Sequence, residues 1–395
     1  MKEVVSILEG AARSPVYTGI LPCQKIVEMV ASGAVRATGI LSEILPDQVQ
    51  PASIDLRLGD VAYPIDASFL PGRSTSVLDK MRELDRDFES FGMDLRKGAV
   101  LERGRLYVVP LQESVKLRND VVAFANPKSS TGRLDILTRL IADRSTHFDE
   151  LEEGYEGQLY LEIAPRSFSV VVRSGTRLNQ LRFQRTRGEE PKPISSADWR
   201  QLLSERQITD SPEASDKTGY LPFSIDLRGS GSEGALVGWR ARKHTGRIDL
   251  DRRDYDPLDF WEPIRFHRSG SLILDPDEFY ILMTKEAIAV PPDFAAEMLP
   301  YDTRAGEFRV HYAGFFDPGF GWDATAKGVG RSRGVLEVRS HEVPFVLEDG
   351  QRVGWLKYER MAERPQALYG REFASNYQGQ ELKLSKQFRA PSFAP

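Results

Sequence analysis

Pro51-Ala52-Ser53-Ile54-Asp55-Leu56-Arg57 is written a second time, 171 residues on, as Pro222-Phe223-Ser224-Ile225-Asp226-Leu227-Arg228. The echo continues in the same order. Tyr107–Glu113 is matched by Tyr280–Glu286 and Pro127 by Pro300, both at an offset of 173 residues. Gly157–Glu162 is matched by a segment ending Gly334-Val335-Leu336-Glu337, and Phe183 by Tyr358, both at 175. Five matches in one order, drifting by only four residues, are hard to reach by chance. The chain therefore reads as two tandem copies of one unit.

The texture of each copy is β. Short runs of Val, Ile, Leu, Phe and Tyr, such as Leu106–Leu111 and Phe168–Val172, are punctuated by Gly, Pro and Asp, which is the pattern of an all-β barrel or sandwich. Helical periodicity is confined to a lead-in carrying Ile26, Met29 and Val30 with Gly33 as a stop, and to Trp199–Arg206. The expected division is a first copy over 1–185, a Pro- and charge-rich join over 186–217, a second copy over 218–360 and a tail over 361–395 without counterpart after the first copy.

Composition narrows the function. The 395 residues are 41% hydrophobic and 28% charged, as in ordinary folded proteins, and exceed one typical domain. A net charge of −5 argues against a chain-wide grip on nucleic acid or an anionic membrane. The start lacks a secretory pattern and no run of about 18 apolar residues occurs. The lone cysteine, Cys23, forms no internal disulfide and suits a reducing, cytoplasmic setting. It also rules out the zinc deaminase set, which needs a P-C-x-x-C pair beside H-x-E.

Two segments could carry chemistry. Asn126-Pro127-Lys128-Ser129-Ser130-Thr131-Gly132-Arg133 gathers two cations and two serine hydroxyls between Pro and Gly, the donor set a phosphate or a reacting polar centre needs. Glu162 sits within the apolar run Leu159-Tyr160-Leu161-Glu162-Ile163, so it either points outward or is buried with a partner.

With these pieces the chain resembles the dCTP deaminases of the dUTPase superfamily. The resemblance rests on Pro51–Gly59, Lys128–Arg133, Gly154-Tyr155-Glu156-Gly157 leading into Leu161-Glu162, and Asn179-Gln180-Leu181-Arg182-Phe183, in that order. It covers nearly the whole chain, and the length is similar to that of the duplicated bacterial branch. It implies two tandem β-barrel or jelly-roll-like units and metal-free hydrolytic deamination of dCTP to dUTP and ammonia. Glu162 is expected as general acid/base, with Ser129 and Arg133 orienting the attacking water and the glutamate. Lys128, Ser130 and Gln180 are expected to bind the nucleotide, with Mg2+ carried by the triphosphate. Tyr369 and the segment Asn376-Tyr377-Gln378-Gly379-Gln380 with Ser385 resemble the family's lid, so Tyr369 and Gln380 are expected on the phosphates. Asn376 stands where the family has a lysine. Feedback by dTTP and a homo-oligomer of trimer-type symmetry are implied by the same resemblance, although one chain could also complete its site internally.

The second copy has diverged. Tyr301, Asp302, Thr303 and Gly306 stand opposite Lys128, Ser129, Ser130 and Arg133. An aspartate near phosphates repels them and glycine orients nothing. Glu337 and Asp317 are thus expected to mark a degenerate counterpart site. Phe316-Asp317-Pro318-Gly319-Phe320 keeps the family's Asp-Pro-Gly-aromatic turn, for which the first copy offers Asp149 or Glu152. His311 reads as structural. The competing readings are a bifunctional enzyme giving dUMP, a dUTPase-like hydrolase, and a non-catalytic nucleotide-binding protein.

Overall fold

A computed structural model describes residues 17–38, 43–189, 194–211, 217–300, 308–311, 314–340, 342–371 and 377–391, with 300 and 308–311 through their backbone. In the first copy the strands are β1 (Ile54–Arg57), β2 (Leu106–Lys116), β3 (Val121–Pro127), β4 (Ile136–Ala142), β5 (Glu156–Pro165) and β6 (Arg177–Arg185). They form two antiparallel sheets, ordered β1-β6-β3 and β2-β5-β4. The second copy repeats the plan with β7 (Tyr220–Ser224), β8 (Tyr280–Ala287), β9 (Phe294–Pro300), β10 (Phe308–His311), β11 (Arg333–Ser340) and β12 (Arg352–Arg360). Its sheets run β7-β12-β9 and β8-β11-β10. The protein is mainly β, and the repeated sequence is a repeated strand order.

Alternation explains what each strand buries. In β5, Leu159, Leu161 and Ile163 enter the core between the first copy's sheets, while Tyr160 joins a cluster on the outer face. That outer face is covered by a helix, α2 (Val77–Leu84), which follows the lead-in helix α1 (Cys23–Ala31). Ser76 caps α2 through its hydroxyl, and Val77 and Met81, one turn apart, pack with Phe69 and Phe88 on Val108, Ile141 and Tyr160. Beyond β3 lies a single turn, α3 (Ser129–Gly132), and in the joining segment a longer helix, α4 (Ser196–Ser204). Trp199 and Leu203 of α4 are buried in the second copy's core, so the join is partly built into the second unit.

The copies are fused along a seam. Val170 and Val171 pair in parallel with Ile248 and Asp249, and the first copy's core continues through Trp239, Trp261 and Phe279 to Leu384 and Phe388 of the tail. Arg182 of β6 is buried against Asp317 at 3.2 Å and stacks on Phe315. No helix among the described residues is long and apolar enough to cross a membrane.

The echoed glutamates show why the repeat was legible. Glu113 accepts from the Arg57 backbone N–H and from Arg57 Nε, both at 2.7 Å, and Gln48 donates to it at 2.9 Å. Glu286 likewise accepts from the Ser224 N–H at 2.8 Å and from its hydroxyl at 2.5 Å. Each holds an incoming strand. Because Arg57 and Glu113 are almost wholly buried, Glu113→Ala leaves an uncompensated guanidinium. It should cost about 3–5 kcal/mol in denaturant unfolding; a loss below about 1 kcal/mol would disprove this role.

Candidate active site

β3 ends at Pro127, Lys128 stays extended, and the chain then tightens into α3. The turn brings Lys128, Ser129, Ser130 and Arg133 to one cleft, beside Gln180 of β6. Asp317 and Glu337 of the second copy line the opposite wall, and Tyr369, Tyr377 and Gln380 of the tail cover it. Ser129 is exposed there, and its hydroxyl makes no hydrogen bond among the described residues. Lys128 pairs with Asp55, which Arg177 also approaches at 3.9 Å.

Arg133 is the hub. Its Nη1 donates to Lys383 O at 2.8 Å, its Nη2 donates to Gln380 Oε1 at 2.9 Å, and its guanidinium lies 4.0 Å over the Tyr377 ring. The remaining Nε is buried without a hydrogen bond, and Glu337 Oε1 stands 3.9 Å from it. That gap is an ion pair, too long for a hydrogen bond. Burial outweighs the Arg133 charge and pushes the Glu337 carboxyl up to about 8. The acid is thus poised near neutrality, as a proton carrier needs to be.

Lys128, Ser129, Ser130, Arg133, Gln180, Asp317, Glu337, Tyr369 and Gln380 all line this cleft; Glu162 does not. The acid beside Arg133 is Glu337, from the copy expected to be degenerate. Glu162 lies on the outer face of β5, where Arg139 of β4 donates to its Oε1 through Nε at 2.8 Å and Nη2 at 2.5 Å. Arg139 is fixed in turn by Ser68 at 2.7 Å and by stacking on Phe148. The face carries the apolar cluster around α2, and within the chain Glu162 stands apart from Ser129 and Arg133. Asp149 stays with it: its carboxylate accepts from the Leu140 N–H at 2.7 Å, and burial pushes it up to about 7. Glu152 is exposed outside the cleft. Of the candidate turn aspartates only Asp317 lines the cleft, with burial raising its pKa against the pull of Arg182.

The tail is anchored on both copies. Gln380 donates to Arg333 O at 2.9 Å, and Ser385 Oγ donates to Ser130 O at 2.7 Å. Gly319, at φ +98°, admits the tail closely: a Cβ there would stand 2.9 Å from Tyr369 N. The sequence did not single out Lys386. It sits half-buried beside Ser130, without an ion-paired carboxylate among the described residues, and burial with nearby Lys128, Arg253 and Arg177 holds its pKa down. Tyr301, Asp302, Thr303, Gly306 and Asn376 lie outside the described residues, as does the side chain of His311.

The N-terminal domain model of 2'-deoxycytidine 5'-triphosphate deaminase matches residues 17–187, and the C-terminal domain model matches residues 195–388. The chain belongs to the dCTP deaminase family. A crystal structure of 2'-deoxycytidine 5'-triphosphate deaminase from Agrobacterium tumefaciens superposes with a TM-score of 0.78 at 48% identity, covering 88% of this chain and 99% of that one. The dCTP deaminase of Acidianus ambivalens is 27% identical over 155 residues, 37% of this chain and 75% of the relative. A dUMP-forming dCTP deaminase of Methanosphaera stadtmanae is 29% identical over 182 residues, 45% of this chain and 85% of the relative. Within the dCTP deaminase family these relatives span about one copy, whereas the Agrobacterium structure spans both.

Proposed function

We propose that the chain deaminates dCTP to dUTP and ammonia at this cleft, with Glu337 as general acid/base. The observation that carries the reading is the meeting of Ser129 and Arg133 from one copy with Glu337 from the other, beside the cationic turn at Lys128. The free Ser129 hydroxyl holds a water against C4 of the cytosine ring. Glu337 takes a proton from that water as it attacks, and delivers it to N3. The same carboxylate then moves the hydroxyl proton to the amino group, and ammonia leaves as the C4 carbonyl forms. Arg133 supplies the counter-charge that opposes burial and so enlarges the ionised fraction of Glu337 available for the first transfer. Lys128, Ser130, Tyr369 and Gln380 face the triphosphate, and Gln180 contacts the nucleotide.

Magnesium enters as the counter-ion of the substrate. Asp55 is engaged by Lys128 and Arg177, and Asp317 by Arg182, so neither carboxylate is left over to build a protein cage for the ion. One chain supplies every group named here, so association of copies is not needed to complete the site. A cytoplasmic setting fits the unpaired Cys23.

The test is product analysis with dCTP, dCMP, CTP and cytidine after chelator treatment, with magnesium then restored. Ammonia with dUTP from dCTP is expected; no ammonia from any of the four overturns the reading. The dUMP-forming relatives motivate measuring pyrophosphate and dUMP in the same reaction; neither is expected, because Asp317 is tied to Arg182 and is not free to activate water at the α-phosphate. Because the base must be ionised, kcat/KM should rise with pH through a midpoint near 8. A profile flat from about two units below that midpoint to about one unit above it contradicts the assignment to Glu337.

A further inference from the structure

Two residues beyond Arg133, and two beyond Glu337, the seam carries a second charge contact. Asp135 is fully buried and accepts from Arg339 through Nη2 and, at 3.3 Å, through Nε. Ser167 donates its hydroxyl to Asp135 Oδ2 at 2.6 Å and accepts from Arg339 Nη2 at 3.3 Å. Arg339 Nη1 donates to Asp277 O at 2.8 Å. The Asp135 backbone holds φ +56°, and its carbonyl accepts from the Arg166 N–H at 2.8 Å; aspartate is among the few side-chain-bearing residues that tolerate this region.

The pair exists at one seam only. The strand register sets Ile136 in the place of Phe308, so the sequence position of Asp135 corresponds to Glu307, but Arg339 maps to Ala164, which has no charge to offer. Fusion of two like units leaves two ways for an acid of one to face the serine and arginine of another, and only one of them carries this contact. Stability gives little reason to keep it, because well-packed apolar residues often replace a buried ion pair without loss; fixing register is its best-attested use.

We propose that the Asp135–Arg339 ion pair is a positioning device that sets Glu337 against Ser129 and Arg133 and so selects which copy's acid serves the site. The proposal rests on Glu337 carrying the proton. Asp135 and Arg339 touch no substrate; they act through the strand and turn that bear the reacting groups. Since Glu337 and Arg339 share β11 and Arg133 is hydrogen-bonded to the tail, a slip of the seam is felt directly in the 3.9 Å gap between Arg133 and Glu337.

The test compares Asp135→Asn, Arg339→Gln and the double variant with the full wild-type chain. Misplacement of about 1 Å costs up to about a hundredfold. Each single variant should therefore lose about ten- to a hundredfold in kcat with KM for dCTP nearly unchanged, and the double variant, whose amides can hydrogen-bond, should recover part of it. Glu337 is faced by Arg133 and Asp135 from the first copy and by Tyr377 from the tail, and His311 is its partner in register on β10. Asp135→Asn removes only one charge, a negative one, so the kcat/KM profile should move to lower pH. Losses in melting temperature with kcat and pH profile unchanged overturn the proposal, as do single losses that simply multiply in the double variant. If Asp135→Asn does not fold, Ser167→Ala decides: a drop in kcat with KM held supports positioning, and unchanged kcat overturns it. Wild-type chain that releases no ammonia overturns both the function and the positioning role, whereas active wild type with unaltered variants overturns the latter alone.

Discussion

Glu337→Gln should fold, bind dCTP and lose about 10²–10⁴-fold in turnover, the range for removal of a positioned proton carrier. The amide keeps the volume of the carboxylate and can still meet Arg133 through its carbonyl oxygen, so the cleft is not collapsed. What it cannot do is take a proton from water or return one to the leaving amine. Equilibrium binding of dCTP beside ammonia release separates the two effects. The comparison variant is Glu162→Gln. Its side chain is buried under Arg139 and away from the cleft, so turnover should stay near wild type while stability falls by about 1–3 kcal/mol through the weakened contact. Should Glu162→Gln be dead and Glu337→Gln active, the acid/base role passes to the first copy and the cleft described here is not where the chemistry occurs.

The contrast between those two glutamates marks how far the sequence could be read. The repeat made the doubling of one β-rich unit legible, because equivalent strands need equivalent alternation, and the turn at Lys128–Arg133 announced itself by residue type. The choice of acid did not. Glu162 and Glu337 sit in the same Leu-Glu context on matching strands, β5 and β11. What separates them is the cover on each outer face. On β5 it is the segment carrying Phe69, Val77, Met81 and Phe88. On β11 it is the other copy: Glu337 meets Arg133, and Arg339 meets Asp135. Cover of this kind is set by contacts between residues about 200 apart, which no local pattern encodes. One signal was nevertheless present. Only the first copy has a serine and arginine to offer, and the acid that stands beside them comes from the other copy. The tail shows the same division: its Gln and Ser residues were legible as a lid, but the residue that holds it down, Arg133, had been read only as a partner of the acid.

Arg133→Met should therefore fail in two separable ways. The first is electrostatic. Arg133 is the named cation that lowers the Glu337 pKa against burial, so its loss moves the carboxyl further above its ordinary range and shifts the rise of kcat/KM to higher pH. Less of the base is then ionised at pH 7, and the loss there compounds with the loss of water orientation. The second failure is mechanical. Without the guanidinium fork, Gln380 Oε1 and Lys383 O lose their donors at 2.9 and 2.8 Å, and Tyr377 loses the charge stacked on its ring. The tail then opens, protease sensitivity across residues 377–388 rises, and KM for dCTP rises with it. Together these should lower kcat/KM at pH 7 by about 10³-fold or more, in keeping with the loss of a buried charged partner. Arg133→Lys divides the two effects, since an ammonium restores the charge but not the planar fork. It should return the pH profile most of the way to wild type while leaving the tail loose and KM high. An Arg133→Lys enzyme with wild-type KM and a wild-type profile would show that charge alone suffices, and the tail would have to be held by Ser385 and Gln380 through the backbone contacts they already make.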